Sequence, residues 1–166
     1  MKRYQVGIIG GTGMVGQRFV TLLENHPWFQ LTAIAASARS AGKSYWEAVC
    51  DRWALDIPCP EAAKSLTVLD AEADAEKLAG MVDFCFCAVD MPKDAIRALE
   101  KTYAKLECPI VSNNSAHRWT EDVPSRFRWA SMTARCSALI SGTTMGTSSV
   151  QRWAELLETM GHSSLA

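Results

Sequence analysis

The densest chemical signal in this 166-residue chain is a run near its start, Gly10-Gly11-Thr12-Gly13-Met14-Val15-Gly16. It contains Gly-x-Gly-x-x-Gly at positions 11, 13 and 16. The run directly follows an apolar segment, Tyr4 to Gly10, that reads as a buried strand. It opens a segment, Met14 to His26, that reads as a helix closed by Pro27. In that setting the early glycines permit a tight turn and a close backbone approach to a pyrophosphate. The last lets helix and strand pack closely, and the free N–H groups of the helix start face the phosphates. The alternative is a glycine-rich turn without a ligand.

The choice of nucleotide is read about 20 residues further on, where NAD-selective sites place an acid at the end of the second strand. Here that stretch is Ala36-Ser37-Ala38-Arg39-Ser40, with no acid. Hydroxyls and a guanidinium suit a ribose 2′-phosphate, because Arg makes charge-assisted bonds to phosphate. NADP is therefore expected over NAD, with Arg39 as a solvated loop residue the alternative. A second polar cluster, Ser112-Asn113-Asn114-Ser115-Ala116-His117-Arg118, follows the last readable strand. That is the carboxyl edge where open α/β sheets bind ligands.

The elements that must position these residues alternate. Strands are expected at Tyr4–Gly10, Leu31–Ala36, Leu66–Leu69, Asp83–Val89 and Pro109–Ser112. Helices are expected at Met14–His26, around Tyr45–Val49, at Ala71–Ala79 and at Asp94–Leu106. Val15, Phe19, Leu22 and Leu23 fall on one face of the first; Ile96, Leu99, Tyr103 and Leu106 on one face of the last. Cys50 to Ser65, with Pro58 and Pro60, reads as an excursion. The pattern argues an α/β class with a doubly wound, mostly parallel sheet. Six cysteines stand at 50, 59, 85, 87, 108 and 136; no CxxC or zinc spacing occurs, no metal is expected, and core thiols are the simplest reading. Cys85 and Cys87, two apart in an apolar run, share a strand face.

Composition narrows the class. Lys plus Arg is 17 and Asp plus Glu is 18, so a nucleic-acid surface spread over the whole chain is not expected. No apolar run reaches about 18 residues, and the start lacks a signal-peptide core, so a cytoplasmic protein with a small-molecule substrate is expected. The chain divides at 124. Residues 1–124 hold 13 basic and 16 acidic groups; residues 125–166 hold four and two, with eight Ser and five Thr. No clean strand is evident in 125–166, and one short helix, Gln151–Met160, is expected there.

Taken together the motifs resemble one family. Gly10 to Val20 followed by His26-Pro27-Trp28-Phe29 is very similar to the start of aspartate-semialdehyde dehydrogenases. Ala36 to Lys43 resembles that family's second-strand loop. Ser112 to Arg118 with Glu121-Asp122-Val123-Pro124 resembles its later signature. The wording is closest to the archaeal and fungal branch, which also resembles malonyl-CoA reductases. The resemblance covers residues 4–124 and implies a Rossmann-type NADP-binding domain. It further implies reduction of L-aspartyl 4-phosphate by NADPH to L-aspartate 4-semialdehyde, releasing phosphate, on the route to lysine, threonine and methionine. By position it implies that Thr12, Gly13, Met14 and Val15 line the pyrophosphate, within a cofactor-binding run of Gly10, Gly11, Thr12, Gly13, Met14, Val15 and Gly16. Ser37, Arg39 and Ser40 would meet the 2′-phosphate, Asn113 would lie near the cofactor, and Arg118 would hold the substrate phosphate.

The resemblance also implies a cysteine nucleophile in Asn-Cys-Ser or Asn-Cys-Thr and a histidine acid/base. A thiolate is needed because it attacks the acyl phosphate at neutral pH and later leaves. Cys136-Ser137 follows Arg135 instead of Asn, and His162 stands four residues from the end of the chain. The expectation is that both catalytic residues and the substrate domain are absent. The family's dimers or tetramers are then not expected of this chain. For residues 125–166 a shifted reading frame, a natural truncation and a deliberate fragment all stay open; for the function, a catalytically silent NADP-binding remnant and a malonyl-CoA reductase stay open as alternatives.

Overall fold

The computed structural model describes residues 3–112, Asn114 and the backbone of Arg135–Cys136. Its strands are β1 (Tyr4–Ile9), β2 (Phe29–Ala36), β3 (Val68–Asp70), β4 (Phe84–Cys87), β5 (Ile110–Ser112) and β6 (Arg135–Cys136). Its helices are α1 (Met14–Leu22), α2 (Tyr45–Val49), α3 (Glu61–Lys64), α4 (Ala75–Met81) and α5 (Lys93–Lys105), with a 3-10 turn at Cys50–Arg52. The sheet order is β3-β2-β1-β4-β5-β6. The first five strands are parallel and β6 runs antiparallel to β5. The mostly parallel α/β sheet expected from the sequence is the sheet observed.

Alternation of side chains sorts each central strand onto two faces. Val6, Ile8, Ile34, Ala36, Phe84, Phe86 and Val111 pack on one side with Val20 of α1, Tyr45 and Val49 of α2, and Ala63 of α3. Ile9, Ala33, Ala35, Cys85, Cys87 and Ile110 pack on the other with Leu78 of α4 and Leu99 and Tyr103 of α5. Helices on both faces explain why β1 and β4 read as continuous apolar runs. The Phe19 ring stacks on Phe86 at 4.9 Å and Phe29 meets Phe84 edge-on at 5.3 Å, fixing α1 and the start of β2 against β4.

Several expectations require correction. α1 ends at Leu22, before Pro27. The chain reverses through Asn25, whose φ is 55°, while the N–H groups of Glu24 and His26 bond to Thr21 and Leu23 carbonyls. The buried face of α1 is Gly16, Gln17 and Val20, whereas Val15 and Leu22 are exposed. β3 is shifted toward Asp70, and α4 starts at Ala75, because Asp70 and Asp74 side chains hold the intervening turn through the N–H groups of Glu72, Ala73 and Asp70. Cys50 is exposed; Cys59, Cys85, Cys87 and Cys108 are buried, with Cys85 and Cys87 on one face. Arg135–Cys136 form a two-residue strand where none was expected, because their backbone finds the free edge of β5 at Val111 and Ser112. The helix expected at Gln151–Met160 lies outside the described residues.

Candidate functional site

Strand order places the site. From β1 the chain moves outward to β2 and β3, then returns to β4 on the other side of β1 and continues to β5. The carboxyl ends of β1 and β4 therefore flank a switch point, the crevice where open parallel sheets take ligands. Gly10 leaves β1 with φ of 85°, a conformation that glycine adopts at little cost and residues with a Cβ rarely do. A Cβ there would also stand 2.8 Å from the backbone of Ala88 and Val89, beyond β4. The N–H groups of Gly10 and Gly11 both donate to the Ala35 carbonyl, tying the turn to β2.

The glycines differ in what they face. A Cβ on Gly16 would collide with the Gly10 carbonyl oxygen and lie 2.6 Å from Gly11 Cα; one on Gly11 would collide with the Ile34 side chain. These two are required by packing. A Cβ on Gly13 meets only the Gly10 oxygen, at 3.6 Å, and its φ of −77° suits any residue. Nothing among the described residues demands glycine at 13. It is the position where a Cβ would fill space in front of the helix. Gly13 caps α1 with no side-chain acceptor, and no acid stands in the first turn. The start of α1 thus presents uncapped N–H groups and a positive dipole end beside open space, with Met14 67% exposed. That arrangement fits an anionic pyrophosphate.

Two buried side chains hold the turn in place. Gln17, 1% exposed, donates from Nε2 to the Thr12 and Arg52 carbonyls at 3.2 and 3.1 Å, and its Oε1 accepts from Ala54 N–H at 2.8 Å. Tyr45, fully buried, donates its hydroxyl to the Gly11 carbonyl at 2.9 Å; burial pushes its pKa above the ordinary tyrosine range. Neither residue was singled out by sequence. The polar Gln at a packing position of the helix, directly after the last glycine, was the available signal.

β2 ends at Ala36, so the residues beyond it are Ser37, Ala38 and Arg39, all exposed, and Ser40, 4% exposed. Ser40 N–H donates to the Ser37 carbonyl and closes the turn. Ser40 Oγ accepts from Arg52 Nη2 at 3.2 Å. The strand-end carboxylate that the topology brings next to Ala36 is Asp70, and its Oδ1 is engaged by the N–H groups of Glu72 and Ala73. Asn114 sits at the end of β5; its Nδ2 donates to the Val89 carbonyl at 3.3 Å and its N–H to Ser112 Oγ. The structure thus brings residues 10–16 and the 37–40 turn to one edge of the sheet, with Asn114 beside β4. Asn113 and Arg118 lie outside the described residues, as do His117 and His162. Among the described residues no group of three or more His, Cys, Asp or Glu is placed to hold a metal ion, and no helix is long and apolar enough to cross a membrane.

A parallel sheet covered on both faces, with a glycine turn into a helix at its switch point, defines a dinucleotide-binding α/β domain. Comparison with known proteins sharpens this. Residues 5–127 match the family described as semialdehyde dehydrogenase, NAD binding domain, and the chain belongs to that family. It is 44% identical over 119 residues to aspartate-semialdehyde dehydrogenase of Methanothermobacter thermautotrophicus, covering 72% of this chain and 32% of that protein. It is 41% identical over 125 residues to the Archaeoglobus fulgidus protein of the same name, covering 74% and 33%. The crystal structure of aspartate semialdehyde dehydrogenase with NADP from Candida albicans superposes with a TM-score of 0.67 at 34% identity, over 74% of this chain and 33% of that one. The chain spans about a third of the length of the curated relatives it matches.

Proposed function

We propose that this chain supplies the NADP-binding part of an aspartate-semialdehyde dehydrogenase, an NADPH-dependent reductase of L-aspartyl 4-phosphate that releases phosphate. The carrying observation is Gly13, a glycine that the described protein does not need and that opens a cradle at the uncapped start of α1. Gly10 to Gly16 would form the cofactor turn, and the uncapped N–H groups at the start of α1 would hold the pyrophosphate. Ser37, Arg39 and Ser40 would surround the ribose 2′-phosphate, in a turn with no acid to repel it. The relatives' name and the NADP in the Candida albicans structure support the same assignment. When bound, the cofactor supplies a hydride; the described residues bind and orient it. Asn113 near the cofactor, Arg118 on a substrate phosphate, the division of the chain near 124 and a cytoplasmic setting belong to the same proposal.

A second reading, a domain that binds cofactor without catalysing, is favoured by the burial of Cys59, Cys85 and Cys87. The family chemistry needs a thiolate. Burial pushes Cys87 up to about 12, and raises Cys85 well above, and Cys59 above, the usual thiol range. These three are held as protonated thiols at neutral pH, and Cys50, the exposed thiol among the described residues, stands in no Asn-Cys-Ser or Asn-Cys-Thr sequence.

Titration of the chain with NADPH and NADH, followed by nicotinamide fluorescence, tests the cofactor assignment. NADPH should bind at least about tenfold more tightly, the scale of a charge-assisted phosphate contact. Equal affinities, or tighter NADH, would sink it. Phosphate-dependent NADP reduction on aspartate semialdehyde then separates the two readings: turnover above background supports the reductase, its absence the binding domain.

A further inference from the structure

We propose that Arg52, which no motif in the sequence marks, is a positioning residue that sets the preference of this site for a phosphorylated ribose. The inference rests on the reading of the 37–40 turn as the ribose site. Arg52 lies on the 3-10 turn after α2, and three independent bonds fix it. Its Nε donates to the Ala48 carbonyl at 3.0 Å, its Nη2 to Ser40 Oγ at 3.2 Å, and its own carbonyl accepts from Gln17 Nε2 at 3.1 Å. The same Gln17 amide donates to Thr12. One residue therefore links the pyrophosphate turn, through Gln17, to the ribose turn, through Ser40.

The bond to Ser40 carries the consequence. Ser40 is nearly buried and closes its turn onto Ser37 through its N–H. Because Oγ accepts from a guanidinium, the hydroxyl proton is left for an acceptor, and the bond that orients it is charge-assisted. The two side-chain bonds use two of the five guanidinium N–H donors, and Arg52 remains exposed. The neighbouring charged side chains are mixed. Arg39 and Lys43 stand exposed on the same loop; Asp51, next to Arg52, lies within 3.7 Å of Cys50 Sγ; Asp70 caps its own turn. Of the cations on these loops, Arg52 is the one that two side-chain hydrogen bonds hold against the turn.

Adenosine 2′,5′-bisphosphate and adenosine 5′-monophosphate are suitable probes, because they differ only in the 2′-phosphate. Binding of each to the whole chain is measured calorimetrically for wild type, Arg52→Met and Arg52→Lys. Wild type should prefer the bisphosphate. Arg52→Met should weaken the bisphosphate about tenfold while changing the monophosphate less than about twofold. Arg52→Lys, which keeps the charge and loses the fork, should fall between them, and it decides the matter if Arg52→Met does not fold. Two results overturn the role of Arg52 alone: a variant that keeps the wild-type ratio, or one that weakens both probes equally, as a merely structural residue would. Wild type that does not prefer the bisphosphate overturns the ribose-site reading, and this inference with it.

Discussion

At the scale of single residues the three glycines of the Gly-x-Gly-x-x-Gly run look alike in sequence and separate in the structure. Gly16 faces the Gly10 carbonyl so closely that any side chain must push α1 off β1, whereas Gly13 faces open space. Gly16→Ala should therefore cost about 3 kcal/mol of stability, the upper range for overpacking. Gly13→Ala should change stability by no more than about 0.5 kcal/mol, since its backbone angles suit alanine, yet weaken NADPH about tenfold or more by filling the cradle. Urea unfolding and nicotinamide fluorescence on both variants check this. A Gly13→Ala variant that binds NADPH like wild type would remove the argument for a ligand at that face. The spacing announced the motif. It could not say which glycine serves packing and which serves a ligand, because that depends on what β2 and β4 place opposite each one.

At the scale of elements the order of strands and helices was legible, and their ends and faces were less so. α2 falls where the sequence placed it because Ser44 and Glu47 form a reciprocal capping box, a local signal. α1 was misjudged in rotation. Apolar periodicity chose Val15, Phe19, Leu22 and Leu23, but the helix buries Gln17 in place of Val15. A buried amide is tolerated only when its hydrogen bonds are met, and its partners come from Thr12 and from Arg52 and Ala54, 35 and 37 residues away. No local pattern contains those distant partners. Gln17→Leu would leave two carbonyls and one N–H without their bonds in a near-buried place, so it should destabilise by about 3 kcal/mol. A shift in the urea midpoint measures it. A loss below about 0.5 kcal/mol would show that water replaces the amide and that the turn is not held this way.

For the whole molecule, stability should depend on pH through a group far from the site. His26 lies in the α1–β2 connection, its ring stacked on Phe29 at 4.6 Å. Its Nδ1 accepts the N–H groups of Trp28 and Phe29 at 3.3 and 3.1 Å, which requires an unprotonated nitrogen. Burial lowers its pKa from the ordinary 6.5. The unfolded chain, with the ordinary value, then binds the proton more readily than the folded one. Stability from this group is fully present above about pH 6.5 and is lost as pH falls from there toward the lowered folded value, with no further loss below it. Glu47 is held low by its bonds to Ser44 and acts in a separate window, below its ordinary 4.5. The urea midpoint of wild type should therefore fall between about pH 7.5 and about pH 5.5, and His26→Gln should flatten that fall. His117 and His162 are common to both proteins, so the difference between the two profiles isolates His26. Parallel profiles would show that the Nδ1 bonds do not discriminate between protonation states.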